Sequence, residues 1–227
     1  MIMRTFLLNN LPAFLWVIAG FQLAMLILFV TKYMRHKKSL YLLAGLVTIG
    51  LFYDALMLSL GSMVSDSQCF AAFSRMRFVS HGMLIPLLFP ICAEALDFKK
   101  KGKTVVWAIT AAFMAGGLAE SIATVLGVSE IGGVLRYAAT DATPAWASTF
   151  SLGISIGAVI PVMIAGIAVW IKQKTPTLFL AGFLMFMASA GGVAVGKDLM
   201  FAVSMIGEAL MALFFYLYAN HKTKHSL

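Results

Sequence analysis

The chain has 227 residues, of which 61% are hydrophobic and 11% are charged, and its mean hydropathy is +0.94. Soluble domains carry about 25% charged residues, so this composition excludes an ordinary water-soluble enzyme or binding module. Apolar runs of about 20 residues, the length that crosses a hydrocarbon core of roughly 30 Å, follow one another along the chain. We therefore expect a single membrane domain over residues 1–227 and no separate soluble module.

The apolar runs predict seven membrane spans, and each is expected to be a helix. Unpaired backbone groups are costly in lipid, and the alternation of a membrane barrel is absent. In chain order the predicted spans are residues 11–33, 39–64, 76–97, 104–127, 144–171, 177–196 and 198–219. The predicted fold class is an all-α, seven-transmembrane-helix bundle.

The lysines and arginines indicate how this bundle is oriented. Of the seventeen, twelve fall on one side of the predicted spans and five on the other. The twelve are Lys32, Arg35, Lys37, Lys38, Lys99, Lys100, Lys101, Lys103, Lys172, Lys174, Lys222 and Lys224. Cytoplasmic loops are enriched in Lys and Arg, so we expect the N-terminus outside and the C-terminus in the cytoplasm.

The same distribution accounts for the net charge of +8 without nucleic-acid binding. Basic clusters beside membrane spans are topology signals, and they also meet anionic headgroups. The lipid bilayer is therefore the predicted partner, and the expected location is a plasma or inner membrane, crossed several times.

The longest outer connection, SEIGGVLRYAATDATPAW, lies between spans four and five and has two interpretations. It is long for a compact domain and contains Arg136 and Asp141, so it could cap the bundle. Alternatively, it is a short interfacial segment with Tyr137 and Trp146 at headgroup level.

Two short similarities suggest an internal repeat. PAFLW opens span one and PAWAS opens span five, while LYLLAG and LFLAG lie near the starts of spans two and six. This pattern resembles the 3+1+3 plan of sugar-transporting proteins of the SWEET class, which share the predicted orientation. The Pro-Gln dipeptide of that class is missing here, so the repeat is a weak signal.

Four titratable residues lie well inside the predicted spans. Asp54, Glu120 and Glu208 are flanked by apolar residues, and His81 lies about one turn below Arg77. With a rise of about 1.5 Å per residue, all four fall between the midplane and the outer surface, on four different helices.

The spacing within two helices supports an inward-facing site. Arg77 and His81 share one face of span three, and Lys197 and Glu208 share one face of span seven. Such polar stripes must face protein or water, because lipid offers them no partner. The predicted ligand- or proton-binding residues are Asp54, Arg77, His81, Glu120, Lys197 and Glu208.

A cavity with these groups suits small-molecule or proton-coupled transport, or sensing. Arg77 and Lys197 would hold an anionic small molecule, while His81, Glu120 and Glu208 would carry a proton. The predicted ligand is an unidentified small molecule or ion. A sensor would also need a protein partner, because the tail HKTKHSL is too short to signal.

The alternatives are an intramembrane hydrolase acting on lipid and a non-catalytic accessory subunit of a membrane complex. The span number resembles that of ceramidase-like zinc enzymes, which use several histidines and an acid around one zinc. Here His36, His221 and His225 fall on the cytoplasmic side. His81 alone remains outside, so a three-histidine zinc site is excluded there. A serine nucleophile is also disfavoured, because VSHG is not a nucleophile-elbow pattern.

Span number and orientation also resemble those of retinal photoreceptors, which carry retinal on a lysine in the middle of span seven. The corresponding segment here is SMIGEALM, with Glu208 and no lysine. Covalent retinal is therefore disfavoured. No cofactor, metal ligand or catalytic residue is predicted, and an enzyme is the less favoured reading.

Overall fold

A computed structural model of the protein describes residues 2–196 and 198–225. This part of the chain forms eight α-helices and one β-hairpin. In chain order they are α1 (Ile2–His36), α2 (Ser39–Leu60), α3 (Gln68–Leu84), α4 (Leu88–Ala95), α5 (Lys100–Ala123), β1 (Leu126–Ile131), β2 (Val134–Ala139), α6 (Ala145–Gln173), α7 (Thr177–Val195) and α8 (Met200–His225).

Six helical stretches in the described residues are long and apolar enough to cross a membrane. They are Arg4–His36, Ser39–Leu60, Gln68–Ala95, Lys100–Ala123, Ala145–Gln173 and Met200–His225. The helix α7 adds a shorter apolar stretch over Thr177–Gly192. The chain is therefore a multi-pass helical membrane protein.

Two of the predicted span boundaries are wrong near the middle of the chain. The third helical stretch begins at Gln68 rather than at residue 76, because the Ser67 hydroxyl accepts a hydrogen bond from the Phe70 backbone N–H at 3.2 Å. That bond satisfies one of the unpaired donors of the first turn. The helix α5 ends at Ala123 rather than at residue 127, because the backbone becomes extended at Thr124 and enters β1.

The third stretch is interrupted where its prolines lie. Pro86 falls in a short 3-10 turn, Ile85–Leu87, that separates α3 from α4. Proline lacks a backbone donor and its ring obstructs the preceding turn, which weakens the regular α-helix at this point. The interruption divides the stretch into a segment that contains Arg77 and His81 and a segment that begins at Leu88.

The fold is helical as predicted, except that the connection between α5 and α6 forms a β-hairpin. Strands β1 and β2 pair antiparallel, with Ile131 opposite Val134. Gly132 and Gly133 form the two-residue turn with φ of +56° and +73°. Glycine adopts these left-handed values at little cost, which favours the tight turn that joins the strands.

The hairpin packs against one end of the helix bundle, called here the hairpin end. The Leu135 backbone N–H donates to the Gly61 carbonyl at the end of α2, at 2.9 Å. Val134 is fully buried in an apolar cluster with residues of α1, α2 and α8, among them Leu11 and Ala202. The hairpin thus covers the bundle at this end.

Tyr137 lies inside this interface rather than at headgroup level. It is 9% exposed, and its ring packs edge-on against Phe70 of α3 with the centroids 6.1 Å apart. Its hydroxyl donates to Asp66, and this hydrogen bond raises the pKa of Tyr137 above its ordinary value. The side chain therefore fastens the hairpin to the loop before α3.

The opposite end of the bundle, called here the lysine-rich end, gathers the start of α2 and the ends of α4, α6 and α8. Tyr41 donates to the Asn220 side chain at 3.0 Å. Lys222 donates to the Ala95 carbonyl at 3.1 Å and pairs with Asp97 at 2.7 Å. A cation at these carbonyls is favourable because the C-terminal end of a helix carries partial negative charge.

The proposed repeat has different local structure in its two copies. Pro12 of PAFLW lies inside α1, whereas Pro144 of PAWAS is the residue that immediately precedes α6. The second pair of similar segments does lie near the starts of α2 and α7. The repeat stays a prediction.

A close crossing of α3 and α5 fixes the helices next to the titratable residues. A Cβ atom on Gly82 would lie 2.6 Å from the carbonyl oxygen of Gly117, which is too close for any side chain. Small residues at such crossings allow backbones in membranes to approach and pack closely. The position of His81 relative to Glu120 therefore depends on two glycines.

We predict that Gly82→Ala destabilises the fold by about 1–3 kcal/mol, because the methyl group forces α3 and α5 apart. Gly153→Ala on α6 is the matched control, since nothing lies within 4 Å of its added Cβ. The control should be neutral or stabilising by up to about 1 kcal/mol. Denaturant unfolding of the detergent-solubilised protein measures both, and equal effects of the two variants would contradict the close crossing.

Candidate functional site

A cavity of about 200 Å³ lies between α2, α3, α5 and α6. Four of the six predicted site residues line it: Asp54 of α2, Arg77 and His81 of α3, and Glu120 of α5. The remaining lining residues are Phe78, Gly82, Ser151, Ile154 and Ser155. Three helices therefore bring acidic, basic and imidazole side chains to one polar space inside an apolar bundle.

Arg77 and Asp54 form an ion pair that joins α3 to α2. The Arg77 Nε atom lies 2.8 Å from Asp54 Oδ1, and the two side chains are 11% and 17% exposed. A buried charge without a partner is strongly unfavourable, so each of these groups offsets the free-energy cost of burying the other. The pair leaves part of each side chain facing the cavity.

Glu120 is held within its own helix. It is 6% exposed, and its carboxylate accepts hydrogen bonds from the Thr124 hydroxyl at 3.1 Å and the Ser121 hydroxyl at 3.4 Å. Within the described residues, no side chain from another helix donates a hydrogen bond to it. One side of this carboxylate is therefore fixed by α5 while the group lines the cavity.

His81 is partly buried and lines the same space. The charges of Asp54, Arg77 and Glu120 all act on its ring. In the part of the chain that the structure describes, no hydrogen bond holds either ring nitrogen. Both nitrogens are thus available to a water molecule, a ligand or a proton.

Arg75 has a different role from Arg77, two residues later. Its guanidinium donates to the carbonyls of Ser121 at 3.1 Å and Thr124 at 3.2 Å, at the C-terminal end of α5. Cations at this end of a helix compensate the unpaired carbonyls. Arg75 thus fastens α3 to α5 above the glycine crossing.

Of the two remaining predicted residues, only Glu208 of α8 belongs to the described part of the chain. Lys197 lies outside the described residues. Glu208 is 6% exposed, and the charges of Asp54 and Arg77 act on its carboxyl. It is therefore a buried residue of α8 outside the cavity lining.

Two polar residues of the cavity and one buried polar residue of α1 were not predicted from sequence. Ser151 and Ser155 of α6 line the cavity, and their spacing of four residues in an apolar run is the signal that could have identified them. Gln22 of α1 is fully buried, and neither of its amide atoms has a partner among the described residues. The signal that could have identified Gln22 is a single glutamine within a long apolar stretch.

Arg136 of the hairpin reaches towards the same region. Its guanidinium lies over the Phe201 ring, 4.3 Å from the centroid, and its Nε is buried without a partner in the described residues. Burial lowers the pKa of Arg136, and the charge of Arg77 lowers it further. The hairpin therefore adds positive potential at this end of the bundle.

No family model matches the chain, and no curated protein matches it in sequence. The site is therefore interpreted from its geometry alone. Within residues 2–196 and 198–225, no three side chains of the types His, Cys, Asp and Glu form a group that could hold a metal ion. The absence of a cofactor stays a prediction.

We predict strong coupling between Asp54 and Arg77. Asp54→Asn or Arg77→Gln alone should cost about 3–5 kcal/mol of unfolding free energy, because each leaves a buried charge unpaired. The double variant should cost clearly less than the sum. The measurement is a double-mutant cycle by denaturant unfolding.

The control for this cycle is the more exposed pair of Glu94 and Lys103, with side chains 24% and 37% exposed and 2.8 Å between charged atoms. Exposed pairs contribute about 0.2–1 kcal/mol. Additive effects of the Asp54 and Arg77 substitutions, or equal coupling in both pairs, would contradict the assignment of a buried pair.

Proposed function

We propose that this chain is a seven-span protein of a plasma or inner membrane that binds a small polar molecule or ion in the cavity and couples it to protons. In this proposal the hairpin end faces outside and the lysine-rich end faces the cytoplasm. The favoured activity is transport, and sensing through a protein partner is the second possibility.

The packing of the helices supports the span number and the orientation. The helix α7 packs along both α6 and α8, so we count it as a span although its apolar part is short. It is the sixth span in chain order and brings the total to seven. Near its start, α1 packs against the hairpin through Leu11. The next helix, α2, begins at the lysine-rich end, where Tyr41 in its first turn contacts Asn220. Lysines concentrated at one end are typical of the cytoplasmic side.

The observation that carries the proposal is the pair of groups left available in the cavity. The His81 ring has no hydrogen bond among the described residues, and the Glu120 carboxylate is bonded only by Ser121 of α5 and by Thr124, the residue that follows α5. Histidine changes its protonation near neutral pH, and carboxylates are its natural proton-exchange partners. A cavity lined by both groups suits a proton or a ligand that exchanges one.

A purely structural role accounts for only part of this arrangement. An ion pair such as Arg77 with Asp54 can hold two helices in register without any ligand. A structural role for the ion pair does not explain why His81, Glu120 and two serines of α6 line a cavity in an apolar bundle. Intramembrane ionisable groups around a cavity are typical of substrate and ion pathways.

Glu208 and Gln22 are buried polar residues outside the cavity, on α8 and α1. Neither amide atom of Gln22 has a partner among the described residues. Buried polar groups of this kind are commonly satisfied by internal water. We propose that a proton leaving the cavity is passed by way of Glu208.

We predict that His81→Asn and Glu120→Gln each reduce proton movement at least tenfold, because each removes a group that changes protonation. The purified protein would be reconstituted in vesicles containing a pH-sensitive dye, and proton flux followed after imposing a membrane potential. A panel of small anions and cations, added in turn, would identify the co-transported species. Glu208→Gln should reduce flux similarly.

The matched controls are His221→Asn at the lysine-rich end and Glu130→Gln in the hairpin, which should keep the parental flux. If the three test variants match the parent while the protein remains folded, the site assignment is wrong. If the parent moves neither protons nor any panel solute, transport is wrong.

A further inference from the structure

A second concavity lies near the lysine-rich end, outside the polar cavity. It has a volume of about 280 Å³ and lies between α4, α5 and α6. Its lining is apolar and includes Cys92, Phe98, Ile109, Pro161 and Ala165. Ile109 and Ile164, at its edge, are 45% and 63% exposed, so the groove opens on the face that meets lipid.

Three lysines lie next to Phe98, at the end of the groove that is called its mouth here. Phe98 lines the groove, and its ring lies against Gly102, where an added Cβ would be 3.2 Å away. Lys99, Lys100 and Lys101 follow Phe98 directly in the chain and are all exposed. The first turn of α5 contains no acidic residue.

The nearby acidic groups do not neutralise these lysines. Glu94 pairs with Lys103 at 2.8 Å, and Asp97 pairs with Lys222 at 2.7 Å. Neither carboxylate pairs with the lysines at the mouth, and no other ion pair to them occurs in the described residues. The mouth of the groove therefore keeps a net positive charge beside an apolar channel.

The dimensions fit one leaflet of a bilayer. Ile109 lies nine positions after Lys100 in α5, which corresponds to a rise of roughly 14 Å along the helix. Half of a hydrocarbon core of about 30 Å is about 15 Å. A chain that starts at the lysines and follows the groove would thus run from the headgroup level to near the midplane.

We propose that this groove binds an anionic glycerophospholipid, with one acyl chain along α4, α5 and α6 and its phosphate held by Lys99, Lys100 and Lys101. The apolar lining favours the acyl chain, and the unpaired lysines favour a negative headgroup over a zwitterionic one. A free phosphate would meet the lysines but leave the groove empty. The site is separate from the polar cavity and does not depend on the transport proposal.

The test uses the full chain purified in detergent and exposed to equal amounts of phosphatidylglycerol and phosphatidylcholine. Native mass spectrometry counts the lipids that remain bound. We expect the parent to retain one phosphatidylglycerol in preference to phosphatidylcholine. A Lys99→Gln, Lys100→Gln, Lys101→Gln variant should lose this preference, by about fivefold for each lysine.

A matched control removes three other exposed lysines from the same end, through Lys38→Gln, Lys172→Gln and Lys174→Gln. This variant has the same net charge as the test variant and should keep the parental preference. Ile109→Trp fills the groove from its exposed edge and should weaken retention of long-chain lipid although every lysine remains. Inorganic phosphate at the same concentration should not displace the lipid.

Four results would overturn the proposal. The first is an equal retention of both lipids by the parent, the second an equal loss in the control and test triple variants, and the third displacement of the lipid by inorganic phosphate. A dimer that forms in the parent and is lost in Ile109→Trp would also overturn it, because a second copy of the chain would then occupy the groove.

Discussion

The buried ion pair between Arg77 and Asp54 is the contact on which the polar cavity depends. Moving a single charge into an apolar bundle costs several kcal/mol, so Arg77 can remain inside only where a carboxylate faces it. The pair joins α3 to α2 at 2.8 Å and places His81, four residues after Arg77, beside Glu120 of α5. The glycine crossing of α3 and α5 sets how near these two helices lie, and the Arg75 contacts hold the same helices together closer to the hairpin end.

Two regions of different chemistry lie along α5 and α6. Towards the hairpin end, the helices turn polar and titratable side chains towards a cavity. Towards the lysine-rich end, they leave an apolar groove. Between them, Phe113 of α5 packs against Phe89 of α4 with the rings tilted and stacks on Phe150 of α6, with centroids 5.3 Å and 6.2 Å apart. These aromatic contacts fill the space along the helices between the polar region and the lipid-facing groove.

Much of the helical arrangement could be predicted from the sequence, because apolar length and charge placement act locally. The intramembrane positions of Asp54, His81 and Glu120 followed from the cost of burying charge, and the structure brings these three residues together. The hairpin could not be found that way, since Leu135 and Tyr137 are stabilised by α2 and α3 rather than by their neighbours in sequence. The position of Glu208 was missed for a related reason. Depth along a helix is readable from sequence, but the rotation of α8 against α2 and α7 is set by tertiary packing.

The central claim, a cavity reached by water from the outer side, is tested most directly by cysteine accessibility. Ser155→Cys would be introduced into a Cys69→Ser background and treated in intact cells with a charged, membrane-impermeant thiol reagent. Ser155 and its neighbour Ile156 are both exposed on α6, but only Ser155 lines the cavity, so Ile156→Cys is the control. The account predicts rapid labelling of Ser155→Cys from outside and none of Ile156→Cys. Equal labelling of the two variants, or labelling of Ser155→Cys only from the cytoplasmic side, would contradict it.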